Sequence, residues 1–185
     1  MSFKKWFGRN YLKIRGFTFV GQFPEGVRKS VIIEAPHTCI EDFVIGRCFF
    51  WMEERQVKFL VKKEFFENPI LRWGLKRMGG IPVDRNRGNN MVAKTAVVFR
   101  QYDDINIVIT PEGTRKRVDK WKRGFYYIAE LAKVPVVIAF IDFKTKRCGY
   151  GPSFVPSGDF DKDWPMIEDF YRGMQGKTPG KFNLE

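Results

Sequence analysis

His37 is the one histidine in a chain of 185 residues, and it stands five positions before Asp42. The segment Val31-Ile-Ile-Glu-Ala-Pro-His37-Thr-Cys-Ile-Glu-Asp42 predicts a strand, a tight turn and a helix. Pro36 disfavours helix at Ala35, so the strand ends there. Thr38 with Glu41 three residues later is a capping-box pattern, which predicts Thr38 as the N-cap, Asp42 as the fourth helical residue and His37 just before the cap. Side chains at those two flanking positions normally meet as an apolar staple; here they are an imidazole and a carboxylate. Inside a single helix the same offset would hold them roughly 140° apart. The spacing therefore points to a His–Asp dyad in which Asp42 orients His37 and supports charge on a general base. Cys39 as the nucleophile of a Cys–His pair, the hydroxyl of an external acceptor, and a plain capped polar pair all remain open as readings of the same residues.

Two more polar segments follow short apolar runs: Gly79-Gly-Ile-Pro-Val-Asp-Arg85 and Thr110-Pro-Glu-Gly-Thr-Arg115. Ligands of open α/β sheets collect outside the carboxyl ends of the strands. These segments would therefore deliver Arg85 and the stretch Glu112–Arg115 to the crevice that holds His37. Gly113 permits a turn that a Cβ would obstruct and lets backbone N–H groups face an anion. Arginine presents a planar fork suited to phosphate oxygens. A base for a hydroxyl beside two arginines describes a phosphorylated alcohol; solvated surface arginines are the plainer reading.

The elements that must position these groups are short. Candidate strands are 16–22, 30–34, 57–61, 79–83, 105–110 and 135–142, and candidate helices are 3–14, 39–54, 69–77, 89–103, 123–133 and 163–173. The Gly-, Pro- and Ser-rich stretch 143–160 reads as hairpin or loop. Branched apolar runs without alternation are strands covered on both faces, so the fold class is α/β, a single domain with a mostly parallel central sheet flanked by helices. No repeat or linker divides the chain.

Composition narrows the chemistry. Three cysteines, widely spaced, exclude a disulfide framework, and a single histidine excludes a metal site built from several His ligands. The longest apolar run, Val134 to Ile141, is too short to cross a bilayer, and no signal peptide is visible. Lys and Arg number 33 against 21 Asp and Glu, a surplus of +12 that predicts an anionic partner. Residues 1–15 form an N-terminal amphipathic segment: Phe3, Trp6, Phe7, Tyr11 and Ile14 share an arc of roughly 140°, with Lys4, Lys5, Arg9, Lys13 and Arg15 mostly opposite and Leu12 alone out of place. That pattern suits a helix lying in a headgroup layer or docked on its own domain. No nucleic-acid recognition motif is present, so an anionic membrane surface is the expected partner and nucleic acid is not.

In order along the chain, these residues resemble the four blocks of the glycerolipid acyltransferase family. His37-x4-Asp42 resembles its HxxxxD block, Gly80-Ile-Pro-Val-Asp-Arg85 the second, Pro111-Glu-Gly-Thr-Arg115 the third and Val134-Pro-Val-Val-Ile138 the fourth. Val61-Lys-Lys-Glu-Phe65 and Trp121-Lys-Arg-Gly124 resemble intervening family stretches. Pro36, Thr110, Lys116 and Ile138 depart from the residues usual in that family. The resemblance implies a glycerol-3-phosphate acyltransferase-like fold over 16–185. The activity it implies is acyl transfer from acyl-CoA or acyl-ACP to the free hydroxyl of a lysophospholipid, most simply 1-acyl-glycerol-3-phosphate giving phosphatidate. His37 and Asp42 would be catalytic. Arg85 and Arg115 would hold the phosphate with Gly113 and Thr114, and Glu112 would orient an arginine or the acceptor. Lys62 and backbone N–H groups near Gly80 would steady the oxyanion. No metal and no cofactor beyond the acyl carrier is implied, and the setting would be peripheral, on the cytoplasmic face of the membrane. Phe43, Phe49, Phe50, Trp51, Phe59 and Phe65 are candidates for an acyl channel. An acyl-amino-acid acceptor (an ornithine or glycine lipid) or a non-catalytic basic lipid-binding module are the alternatives.

Overall fold

The branched apolar runs pair into one seven-stranded sheet. The computed structural model describes residues 2–83 and 88–184, with the backbone alone for 88–90. In chain order its elements are α1 (Phe3–Ile14), β1 (Thr18–Val20), β2 (Lys29–Ala35), α2 (Ile40–Met52), β3 (Val57–Lys62), α3 (Pro69–Arg77), β4 (Gly80–Val83), α4 (Gly88–Val98), β5 (Ile105–Ile109), α5 (Gly124–Ala132), β6 (Val136–Asp142), β7 (Arg147–Phe154) and α6 (Phe160–Tyr171). The strand order is β1-β7-β6-β2-β5-β3-β4. From β6 to β4 the neighbours run parallel, whereas β7 returns antiparallel to β6. The stretch 143–160, expected as hairpin or loop, instead holds a full strand, β7, that folds back on β6 and carries β1 at the sheet edge. α6 begins three residues earlier than predicted because the Asp159 side chain accepts the Asp161 and Lys162 N–H groups and caps it there.

Alternation along β2 divides the core. Val31, Ile33 and Ala35 face the layer that contains Phe125, Ile128, Ile167 and Tyr171, while Ile32 faces the layer of Ile45, Phe49, Phe50 and Phe59. The crossover helices α2 and α5 therefore cover opposite faces of the sheet. The Tyr171 hydroxyl, fully buried, lies 2.7 Å from the Ala139 carbonyl and 3.2 Å from that of Ile33, next to an irregularity in the β6–β7 ladder between Val137 and Ala139.

α1 lies against α2. Leu12, the residue that spoils the amphipathic separation, is the one buried, beside Gly8. Phe3, Trp6, Phe7 and Ile14 stay exposed. Gly8 is needed for the approach, since a Cβ there would stand 2.3 Å from the Cys48 carbonyl oxygen. Gly8→Ala is expected to lower the unfolding free energy by about 1–3 kcal/mol and to open α1 to trypsin. Gly74→Ala, where a Cβ would meet nothing within 4 Å, should instead be neutral or gain up to about 1 kcal/mol of helix propensity. Urea titration and limited proteolysis read both; equal effects would mean that α1 does not depend on this contact.

Candidate active site

His37 follows the carboxyl end of β2 and Glu112 follows that of β5, its neighbour in the sheet. Because the chains leaving these strands turn to opposite faces, a crevice opens between the two loops. There the His37 backbone N–H donates to Glu112 Oε1 at 2.8 Å, tying one loop to the other. Pro36 ends β2 as expected, and the Ala35–Pro36 bond is cis.

The helix cap differs from expectation by one residue. Cys39, not Thr38, is the N-cap of α2, and Asp42 is its third helical residue. Asp42 Oδ2 accepts both the Thr38 N–H and the Cys39 N–H, the latter at 2.8 Å, so one acid does the work predicted for the Thr38–Glu41 pair. Thr38 Oγ1 instead accepts from the Thr178 N–H at 3.3 Å, and Glu41 pairs with Arg15 and Lys177. His37 is therefore two residues before the cap, and the meeting with Asp42 is not a staple contact. The two do meet: His37 Nδ1 lies 3.6 Å from Asp42 Oδ2. Asp42 is wholly buried and the imidazole only partly.

Cys39 is part of the cap. Its Sγ lies 3.1 Å from Asp42 Oδ1, and burial, then the hydrogen bond to Asp42, pushes its thiol pKa up. A thiol held protonated is a poor nucleophile, which disfavours the Cys–His reading.

Two further acids surround the pair. Glu34, on β2, is buried beside Gly46, where a Cβ would approach within 2.5 Å of Glu34 Oε2. Burial first, then the charges of Asp42 and Glu112, push the Glu34 carboxyl up to about 8. Burial likewise raises Glu112 to about 8, against the hydrogen bond from His37 N–H. Near neutral pH both hold their protons, so the crevice does not gather three carboxylates in their charged form.

A cavity of ≈ 520 Å³ opens beside His37. Its walls are mostly apolar, with Phe43, Phe59, Val61, Val92, Phe125 and Ile128 among them, and Glu34, Gly113 and Lys122 join His37 as polar lining. Of the candidate channel residues, Phe43 and Phe59 line it. Phe49 and Phe50 are core, Trp51 lies at the far end of α2, and Phe65 is exposed.

The other expected site residues divide. Gly113 has φ +67° and lines the cavity. Thr114 accepts from the Lys116 N–H at 3.3 Å in the same turn. Arg115 and Lys62 are exposed, and neither they nor Gly80, the first residue of β4, belong to the cavity wall. Arg85 lies outside the described residues. Lys122 was legible only as part of a motif: its side chain crosses Gly113, with Cδ and Cε each 2.9 Å from where a Cβ would stand. Neighbouring Arg123 also lines the cavity and pairs with Asp161 at 2.9 Å. Glu34 carried no sequence signal beyond being a charged residue inside an apolar strand.

Residues 16–141 match the family model described as Acyltransferase, and the chain belongs to that family. Among named relatives, the 1-acyl-sn-glycerol-3-phosphate acyltransferase of Streptococcus pneumoniae (strain ATCC BAA-255 / R6) is 30% identical over 109 residues, 59% of this chain and 40% of that protein. The enzyme of the same name from Bacillus subtilis (strain 168) is 35% identical over 85 residues, 45% of this chain and 42% of that protein. The chain thus matches about two-fifths of the length of these curated relatives. The crystal structure of the 1-acyl-sn-glycerophosphate (LPA) acyltransferase PlsC from Thermotoga maritima superposes with a TM-score of 0.61 at 14% identity, covering 94% of this chain and 80% of that one. That likeness is one of fold: a mostly parallel seven-stranded sheet flanked by helices.

The buried acids make stability depend on pH. Glu34 and Glu112 ordinarily titrate at 4.5 and in the folded chain at about 8. Across that interval the native state keeps protons that the unfolded state has released. Their contribution is therefore full below 4.5, declines as pH rises and is lost above about 8. Urea midpoints should fall across that window, and Glu34→Gln should flatten the decline and exceed the parent's stability at its alkaline end. An unaltered slope in the variant would place the linkage elsewhere.

Proposed function

We propose that this chain is an O-acyltransferase that moves a fatty acyl group from an acyl thioester, acyl-CoA or acyl-ACP, to the free hydroxyl of a lysophospholipid. The preferred acceptor is 1-acyl-glycerol-3-phosphate and the product phosphatidate. The observation that carries this reading is the partly exposed His37, backed at 3.6 Å by buried Asp42, at the mouth of a cavity with mostly apolar walls. A base beside an apolar chamber suits a reaction between a polar hydroxyl and a long hydrocarbon thioester. The names of the two curated relatives point to the same acceptor.

With Nδ1 turned to Asp42, His37 Nε2 takes the acceptor proton as the hydroxyl oxygen bonds to the thioester carbonyl carbon. Collapse of the tetrahedral intermediate breaks the C–S bond, and the imidazolium returns the proton to the departing thiolate. Asp42 holds the ring orientation and favours the charged imidazolium. Glu112, through its bond to the His37 N–H, fixes the backbone that carries the base. The acyl chain occupies the apolar cavity. The acceptor phosphate lies by the Gly113 turn, where Lys122 and, further out, Arg115 supply positive charge. No metal or cofactor takes part. The donor and acceptor meet at an anionic membrane surface on its cytoplasmic face, where α1 lays Phe3, Trp6 and Phe7 against lipid.

His37→Ala should reduce acceptor-dependent thiol release by roughly 10³-fold while leaving the unfolding midpoint within the range of other surface variants. Near-normal turnover would remove the dyad from the chemistry. Lys122→Ala should raise the KM for a phosphorylated acceptor by about tenfold, as expected for loss of one charged hydrogen bond, with little change in the KM for acyl-CoA. A larger acceptor effect from Arg115→Ala than from Lys122→Ala would move the phosphate outside the cavity mouth.

A further inference from the structure

A second pocket, of ≈ 410 Å³, lies towards the opposite end of α2, where its lining residues Arg47 to Trp51 stand roughly 12–18 Å along that helix from the N-cap. It is walled by the start of α1, the last turns of α2, the first residues of β3 and the end of α3. Its charged residues are Lys4, Arg47, Arg55, Lys58, Lys76 and Arg77, against a single acid, Glu54. That acid is already paired with Lys5, at 2.9 Å.

Arg47 and Arg55 lie against rings and, among the described residues, pair with no carboxylate. Arg47 lies 5.2 Å from the Trp51 ring and 5.3 Å from that of Phe59, and Arg55 is 3.6 Å from Phe23. Arg47 Nε and Nη1, Arg55 Nε and Trp51 Nε1 are buried donors with no acceptor among the described residues. Burial pushes the Arg47 pKa down to about 10. A hollow lined by six cationic side chains and one already-paired acid fits a ligand that is an anion with several oxygens.

The surroundings of the pocket indicate where that anion resides. Trp51, in the wall, meets exposed Phe7 edge-on at 6.1 Å, and Phe7 in turn touches Phe3. Arg77, in the opposite wall, lies over exposed Trp73 at 5.8 Å, next to exposed Ile70 and Leu71 on α3. Two exposed apolar prongs thus bracket a basic hollow. We propose that this pocket is a phosphate site that seats the headgroup of an anionic phospholipid while α1 and α3 lie against the bilayer. The assignment deepens the membrane-surface part of the proposed function and rests on it, but not on the acyl-transfer chemistry.

Co-sedimentation of the full chain with vesicles of phosphatidylcholine, with and without phosphatidylglycerol, tests it. The parent should bind the mixed vesicles. Lys76→Gln with Arg77→Gln, and separately Arg47→Met, should weaken that binding about tenfold or more. Lys133→Gln with Lys162→Gln removes equal charge from helices on the opposite face of the sheet and should change it less than about threefold. Equal losses from both double variants would mean diffuse attraction and overturn the pocket, as would no loss from either pocket variant. Intact vesicle binding with a raised KM for a soluble acyl-CoA would give the pocket to the donor's phosphates and also overturn it. Failure of the parent to bind mixed vesicles would end the membrane reading and this one together. Absent acyl transfer with phosphatidylglycerol-dependent binding intact would end the transferase reading alone.

Discussion

The placement of His37 depends on one carboxylate at the start of α2. Asp42 takes the N–H groups of Thr38 and Cys39 into one oxygen, where an acid in the first turn also opposes the positive end of the helix dipole. The loop between β2 and α2 is held by those bonds, and His37 sits in it. The same oxygen that closes the helix faces the imidazole. Capping of the helix and contact with the imidazole fall to one carboxylate, so the His37–Asp42 pair cannot be loosened without fraying the helix. The chain beyond α6 reinforces this corner: Gln175 donates to Asp142 at 3.0 Å, Gly176 packs on Thr38 and Lys177 reaches Glu41.

The sheet sets the electrostatic setting of that corner. β2 is central, so its outward alternation has nowhere solvated to go, and Glu34 is enclosed against Gly46. Glu112 is enclosed from the β5 side. An acid that must ionise in such a place is costly to bury, whereas a protonated one needs only hydrogen-bonding partners. Both acids are displaced towards their neutral form, which leaves the neighbourhood of the imidazole low in dielectric without crowding it with like charge. An imidazole in that setting responds strongly to a single nearby carboxylate.

Much of this was legible in the residues. Pro36 marks the end of β2, the branched runs mark strands covered on both faces, and the segments after β2 and β5 do converge at one edge. The cap was misplaced by one residue because Thr38–Glu41 and Cys39–Asp42 offer overlapping patterns. The choice falls to contacts from Arg15 and Lys177, distant in sequence, that draw Glu41 away. The cavity wall was legible only in part, since whether a phenylalanine in α2 is core or lining depends on its angle to β3. Phe43 meets Phe59 at 5.2 Å on the cavity side, while Phe49 and Phe50 turn into the core. Lys122 depended on the Gly113 turn folding back beneath it, a contact that periodicity does not encode.

α1 shows why an amphipathic pattern alone was ambiguous. Its docking face needs little apolar area, because Gly8 lets the backbone approach α2 closely and Leu12 fills the remaining gap. The aromatic arc is thereby left over rather than consumed. α1 runs along α2 with Lys5 bound to Glu54 at one end and Arg15 to Glu41 at the other. The helix that presents rings outward therefore spans the distance between the basic hollow and the crevice. A surface that engages those rings is held parallel to the line joining the two, so a headgroup at one end fixes how the other end meets the interface. Under the proposed function the hollow would act on orientation, setting the angle at which a lipid meets the crevice without touching any reacting atom.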